Sequence, residues 1–134
     1  ASHVLEYFNK QDVHIVLSEW YRVLKPAGEI RIAVPDFQTM TRLYHEGRIN
    51  LDDILGPIFG KMLMADETIY HRMTYDQQSL TDLMKTIGFI DIKKYDWRKY
   101  QIHKDNDDHS QSYLCPKGDK KNGTLISLNL CATK

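Results

Sequence analysis

The chain has 134 residues, 42% of them hydrophobic and 27% charged, with 18 Lys plus Arg against 18 Asp plus Glu. That length suits one domain over 1–134, and the apolar share is enough for a packed core, which argues against global disorder. The even charge balance leaves no footprint for nucleic acid or an anionic membrane, and no apolar run reaches the roughly 20 residues that cross a bilayer. With no basic leader before an apolar stretch, the chain reads as soluble and cytoplasmic. Its two cysteines, Cys115 and Cys131, form no CxxC pair and signal no zinc site. In a reducing compartment they read as thiols rather than a disulfide.

Residues 10–24 have helical periodicity, with Val13, Val16, Leu17, Trp20, Val23 and Leu24 on one face. Asn9 is the cap, Asp12 follows in a capping-box position, and Pro26 with Gly28 ends the helix. Trp20 is the expected anchor of this face. Residues 30–34 then form a short β-branched run ended by Pro35, which reads as a strand buried on both faces, with Arg31 discordant. Residues 36–47 read as a second helix, capped by Asp36, with Met40, Leu43 and Tyr44 inward and Gly47 closing it.

Periodicity weakens over 48–75. Leu51–Phe59 reads as a short helix interrupted at Pro57, and the stretch through Met62, Met64, Tyr70, His71 and Tyr75 as a cap or insertion. A further helix spans 76–87, with Leu80, Leu83, Met84 and Ile87 inward and Gly88 as its stop. Residues 89–100 alternate partly through Ile90, Ile92, Tyr95 and Trp97 and read as a long strand. Residues 103–123 are polar and turn-rich, predicting a mobile loop. Residues 124–132 close the chain as a strand carrying Leu125, Ile126, Leu128 and Leu130. The predicted fold class is α/β: a helical crossover makes the first two strands a parallel pair, and a hairpin-like connection makes the last strand antiparallel.

Three stretches then carry a resemblance: "SHVLEYF", "LSEWYRVLKPAGEIRIAVPDF" and "SLTDLMKTIGFIDI", followed by the closing "ISLNLCATK". Together they resemble the C-terminal half of a class I S-adenosylmethionine-dependent methyltransferase. The most similar branch is bacterial and reads S-H-x-L-E-H-F, then W-x-R-V-L-K-P-G-G-x-L-R-I-x-V-P-D. The resemblance implies a partial Rossmann-like sheet of about three strands with helices packed on it, corresponding to the fifth, sixth and seventh strands of that fold, in which the antiparallel last strand is tucked between the fifth and sixth. It implies S-adenosylmethionine as the methyl donor. In that family a glycine-rich turn after the first strand holds the methionine end of the donor, and an acidic residue ending the second strand binds its ribose. No G-x-G occurs here in any register, so no cofactor is expected for the chain alone. The chain reads as starting after the family's fourth strand, with the missing half of the sheet, or a second copy, expected along the 30–34 edge.

Within that frame Ser2, His3 and Glu6 are the candidate cofactor-binding residues, because ligands lie outside the carboxyl ends of parallel strands. Tyr7 stands where the pattern has His. Asp36, Tyr70, His71 and Tyr75 are the candidate substrate-binding residues, and His71 is a candidate general base for a hydroxyl or amine acceptor. The plainer alternatives stay open: a capped helix start at Ser2–Glu6, a helix cap at Asp36, and a half-buried aromatic cluster around His71. His103, Asp105, Asp107, Asp108 and His109 crowd one segment but miss the calcium-loop template. No nucleophile motif is present, and methyl transfer needs none. The alternative to a methyltransferase-like chain is a non-enzymatic binding or self-associating module on the same scaffold.

Overall fold

A computed structural model of the chain describes residues 1–100 and 111–134. One 3-10 turn, Leu5–Tyr7, precedes α1 (Asp12–Val23). Asn9 caps α1: its Oδ1 accepts from the N–H groups of Gln11 and Asp12 at 2.8 and 2.9 Å. These are donors that a first turn leaves unmet. Val13 and Leu17 are buried, whereas Val23, expected inward, is 60% exposed. The last turn of α1 instead offers Tyr21 to the core, edge-on to Phe89 at 5.0 Å. Trp20, expected as the anchor, is only partly buried and packs against the core's margin, so Leu17 takes that part.

The turn at Pro26 has Gly28 N–H donating to Lys25 O at 2.8 Å, and it holds Ala27 at φ +60. Then come β1 (Glu29–Pro35) and α2 (Phe37–His45), where Asp36 caps the helix by accepting from Thr39 N at 3.1 Å. Met40 and Leu43 are buried; Tyr44, expected inward, lies on the solvent side. α3 (Leu51–Phe59) starts from an Asn50–Asp53 capping box and runs through Pro57 without the expected interruption. Proline removes one rung of the ladder, but the capping box and a Gly60 N–H to Gly56 O bond at 2.8 Å hold the turns on either side. β2 (Met62–Met64) and β3 (Glu67–Ile69) form an exposed antiparallel hairpin. α4 (Gln77–Ile87) follows, with an Asp76–Ser79 capping box and Gly88 at φ +114 as its left-handed stop.

β4 (Ile90–Lys94) is shorter than predicted and gives way to a 3-10 turn at Trp97–Lys99. Its register slips between Ile90 and Lys93, with Asp91 at φ +52, and this breaks the period-2 pattern so that Ile90 faces out. Of the segment expected to be a loop, 103–110 lies outside the described residues. Within 111–123 the structure has β5 (Tyr113–Leu114), buried and paired with β6 (Thr124–Leu125). The closing strand is therefore divided into β6 and β7 (Ser127–Thr133). Cys115 and Cys131 are free thiols.

The fold is mixed α/β with a three-stranded sheet in the order β1–β7–β4. β7 is antiparallel to both neighbours. β1 and β4 therefore run the same way, yet the predicted parallel pair does not form, because β7 lies between them. Parallel contacts among the described residues are two isolated bridges, Ser2–Ala33 and Asp36–Tyr75. The central strand is thus β7, buried from Ser127 to Ala132, rather than β1. On its outer edge β1 meets the chain's own first residues: Ala33 N–H donates to Ala1 O at 2.9 Å, and His3 N–H donates to Ala33 O at 2.8 Å. No helix among the described residues is long and apolar enough to cross a membrane.

Two substitutions check this packing by urea denaturation. Leu17→Ala, which empties a fully buried position, is expected to cost about 2–5 kcal/mol. Ala27→Gly is expected to raise stability by up to about 1 kcal/mol, because φ +60 disfavours a Cβ.

Candidate functional site

The carboxyl end of β1 is where the segments of the chain converge. Glu6, on the 3-10 turn, is 0% exposed. Its main-chain carbonyl accepts from Arg72 N at 2.8 Å and from Met73 N at 3.1 Å, which lays residues 71–73 across the turn. Its carboxylate Oε1 accepts from His3 Nδ1 at 3.0 Å and lies 3.8 Å from His71 Nε2. Its Oε2 has no hydrogen-bond partner. A carboxylate removed from water needs such neighbours, because burying it alone is costly.

The two histidines are held differently. An ionised carboxylate only accepts, so with Glu6 charged His3 Nδ1 is the donor of this pair. His3 Nε2 then accepts from Ser127 Oγ at 3.1 Å. Ser127 Oγ in turn accepts from Ser112 N–H at 3.0 Å. His71 Nδ1 donates to the Pro57 carbonyl at 3.0 Å, and its ring meets the Tyr7 ring edge-on at 4.6 Å. Gly60, at φ +52, lies against this ring, and a Cβ there would collide with His71 Nε2 and Cδ2. Burial, and then the charge of Glu6, push the Tyr7 phenol up from its ordinary range.

Tyr75 is also buried, and its hydroxyl has no hydrogen-bond partner. Burial first, and Glu6 second, push its phenol up to about 12. Its backbone joins the end of β1, where Phe37 N–H donates to Tyr75 O at 3.0 Å. His3 and His71, with Pro35, Pro57, Ser112 and Ile126, line a cleft of about 220 Å³. A neighbouring cavity of about 170 Å³ is lined by residues that include Asp36, Thr39, Lys94 and Ser127.

His3, Glu6, His71 and Tyr75 are therefore brought together. His71, expected as a base, has both ring nitrogens turned toward acceptors, whereas His3, expected among the cofactor residues, has the basic nitrogen with a carboxylate behind it. Asp36 acts as the helix cap, with Thr39 Oγ1 donating to its Oδ2 at 2.8 Å. Tyr70 stays out of the cluster, 51% exposed. Ser2 sits in the bridge to Ala33, its buried hydroxyl without a hydrogen-bond partner. Sequence reasoning missed Ser112 and Ser127. Ser127 left a signal: with Asn129 it interrupts the apolar run of the last strand in "ISLNL". Among the described residues no group of three metal-ligating side chains gathers. No protein-family model, curated protein or solved structure matches the chain.

Tyr75 gives a pH test. Its phenol ionises near 10 in the unfolded chain and near 12 in the folded one, so between those values the folded state keeps a proton that the unfolded state has lost. Stability contributed by the neutral phenol is complete below pH 10 and falls as pH rises through 12. Tyr75→Phe is expected to flatten this alkaline loss in denaturation midpoints. At neutral pH it is expected to keep or raise stability, because it removes an unmet buried hydroxyl.

Proposed function

We propose that this chain forms the acceptor side of an S-adenosylmethionine-dependent methyltransferase. The observation that carries the reading is the placement of β7, antiparallel, between β1 and β4, which run the same way. This is the arrangement of the fifth, seventh and sixth strands that the sequence resemblance leads one to expect. The parallel bridge between Ser2 and Ala33 lies on the side where the fourth strand of such a sheet would run. The polar cluster at the carboxyl end of β1 occupies the crevice position typical of open α/β sheets.

The residues present give the donor only a partial seat, with His3 on the cleft and no grip for its methionine end. The chain contains no G-x-G, Glu6 is closed off from ligand by full burial, and the Ser2 hydroxyl is buried beside β1. What the chain's own residues supply is a wall. Pro35, Pro57 and Ile126 line it together with His3 and His71, whose ring nitrogens are directed at Glu6, Ser127 Oγ and the Pro57 carbonyl. S-adenosylhomocysteine titrated against the labelled chain is expected to bind in the millimolar range, worth about 4 kcal/mol, and to shift the amide signals of Pro35's neighbours and His3. Unchanged spectra at millimolar ligand would overturn the reading.

A second reading, a self-associating module, is favoured by one observation: Leu51, Leu55 and Phe59 on α3 and all of β2 are exposed. Pairing along residues 30–34 would first have to displace the bonds from residues 1–3. A dimer mass by light scattering that persists on dilution, and that Leu63→Lys abolishes, would favour this second reading.

A further inference from the structure

We propose that the β2–β3 hairpin is a dimerisation arm: β2 pairs antiparallel with β2 of a second copy of this chain, about a two-fold axis that passes between the two Leu63 residues. The proposal rests on the self-association reading above, and it names the strand and the register that carry it.

The first observation is the exposure of β2 on both faces. Met62, Leu63 and Met64 are consecutive, so their side chains point alternately to opposite faces, and all three are exposed. A strand that packed one face on its own domain would bury every second residue. β2 buries none, and its partner β3 is exposed at Glu67 and Thr68. Two strands alone are marginal in water, and a third and fourth strand would relieve that.

The second observation is which backbone groups face outward. The hairpin pairs Met62 with Ile69, Leu63 with Thr68 and Met64 with Glu67. That leaves a two-residue turn, Ala65–Asp66, with Ala65 at φ +53 as tight hairpin turns require. In such a hairpin the pair beside the turn bonds inward. Successive residues alternate, so Met62 and Met64 turn their N–H and C=O toward β3, and Leu63 turns its own away from it. On β3 the outward residue is Thr68, beside the charge of Glu67, and a charge is what guards an edge against pairing. Over 62–64 β2 carries neither charge nor proline.

The third observation is that this edge is its own complement. Antiparallel pairing centred on Leu63 lets each Leu63 N–H donate to the Leu63 carbonyl of the other copy. It sets Met62 of either copy opposite Met64 of the other. A two-fold interface needs this property, because both copies contribute the same surface. Unbranched methionines adjust to one another across such a seam. One step further, Lys61 lies opposite Ala65 of the second copy, and Asp66 follows there within reach of a lysine side chain. Lys61 and Asp66 are exposed and opposite in charge, so the register that matches the apolar residues also matches charges on both sides of the axis.

The unmodified chain carries the test. Its mass by light scattering and the exchange of single amide hydrogens by NMR are followed from about 10 μM to about 1 mM. A dimer is expected, with the Leu63 amide slowed at least about tenfold on dimerisation. Thr68, outward on the opposite edge of the same hairpin, is expected to stay unchanged. Charge reversal then checks the register: Lys61→Glu and Asp66→Lys are each expected to weaken the dimer at least about threefold at low salt, and the two together to restore it. A dimer in which Leu63 exchanges freely, or in which Thr68 slows, overturns the arm and leaves self-association through another surface. Single reversals without effect overturn the register. A monomer throughout overturns both the arm and the self-association reading.

Discussion

The buried Glu6 is the point on which the rest of the arrangement depends. Its carbonyl fixes the start of residues 72–73, and its carboxylate fixes His3 and faces His71. Through His3 it reaches Ser127 and, one bond further, Ser112. Three parts of the chain that are remote in sequence, the opening turn, the segment before α4 and the closing hairpin, are thereby joined in one network. Networks of this kind stabilise only when every member is satisfied, and this one leaves Glu6 Oε2 and the Tyr75 hydroxyl unmet. Two unmet oxygens weaken the fold locally, because each has lost its water without gaining a partner.

The position of the cluster follows from the sheet. β7 is buried along almost its whole length because it has neighbours on both edges and apolar packing on both faces. It runs against both neighbours, so its first residue, Ser127, lies opposite the last residue of β1, Pro35. The carboxyl end of β1 and the amino end of β7 therefore open on the same place. Proline at that end cannot donate to a ladder, and one residue on, Asp36 N–H donates to Ile126 O at 2.8 Å before the backbone turns into α2.

The helices were legible in "DVHIVLSEW", "FQTMTRLYH" and "QQSLTDLMKTI" because their caps and stops are local: Asn9, Asp36, Asp76 and Gly88 act within a turn of themselves. What was not legible depends on partners far along the chain. β1 looks like a central strand because its residues are apolar, but apolar content does not say which strand lies between which. Tyr44 and Val23 show the same limit, since an apolar residue at the margin of a stripe faces inward only where a neighbour covers it. In the site, His3, Glu6, His71 and Tyr75 could be named from a resemblance, but their roles could not. The division between His3 and His71 is set by Pro57 O and Ser127 Oγ, at 14 and 124 residues' distance in sequence.

The cleft also lies along a seam in the packing. One apolar cluster, with Leu5, Leu17, Ile32, Leu80 and Leu130, holds α1 and α4 to the sheet. Another, with Met40, Leu43, Ile54, Leu114 and Ile126, gathers α2, α3 and the β5–β6 hairpin. Tyr75 belongs to the first and Ile126 to the second, and Pro35 and Pro57 stand between them at the cleft. Side chains from two separately packed clusters leave gaps where they meet, and polar groups tolerate a gap better than apolar ones, because a ligand or water can complete their bonds. The polar cluster is at the seam for that reason. The backbone bonds from Arg72 and Met73 to the Glu6 carbonyl tie the segment that carries His71 to the turn that follows His3, and both histidines line the cleft.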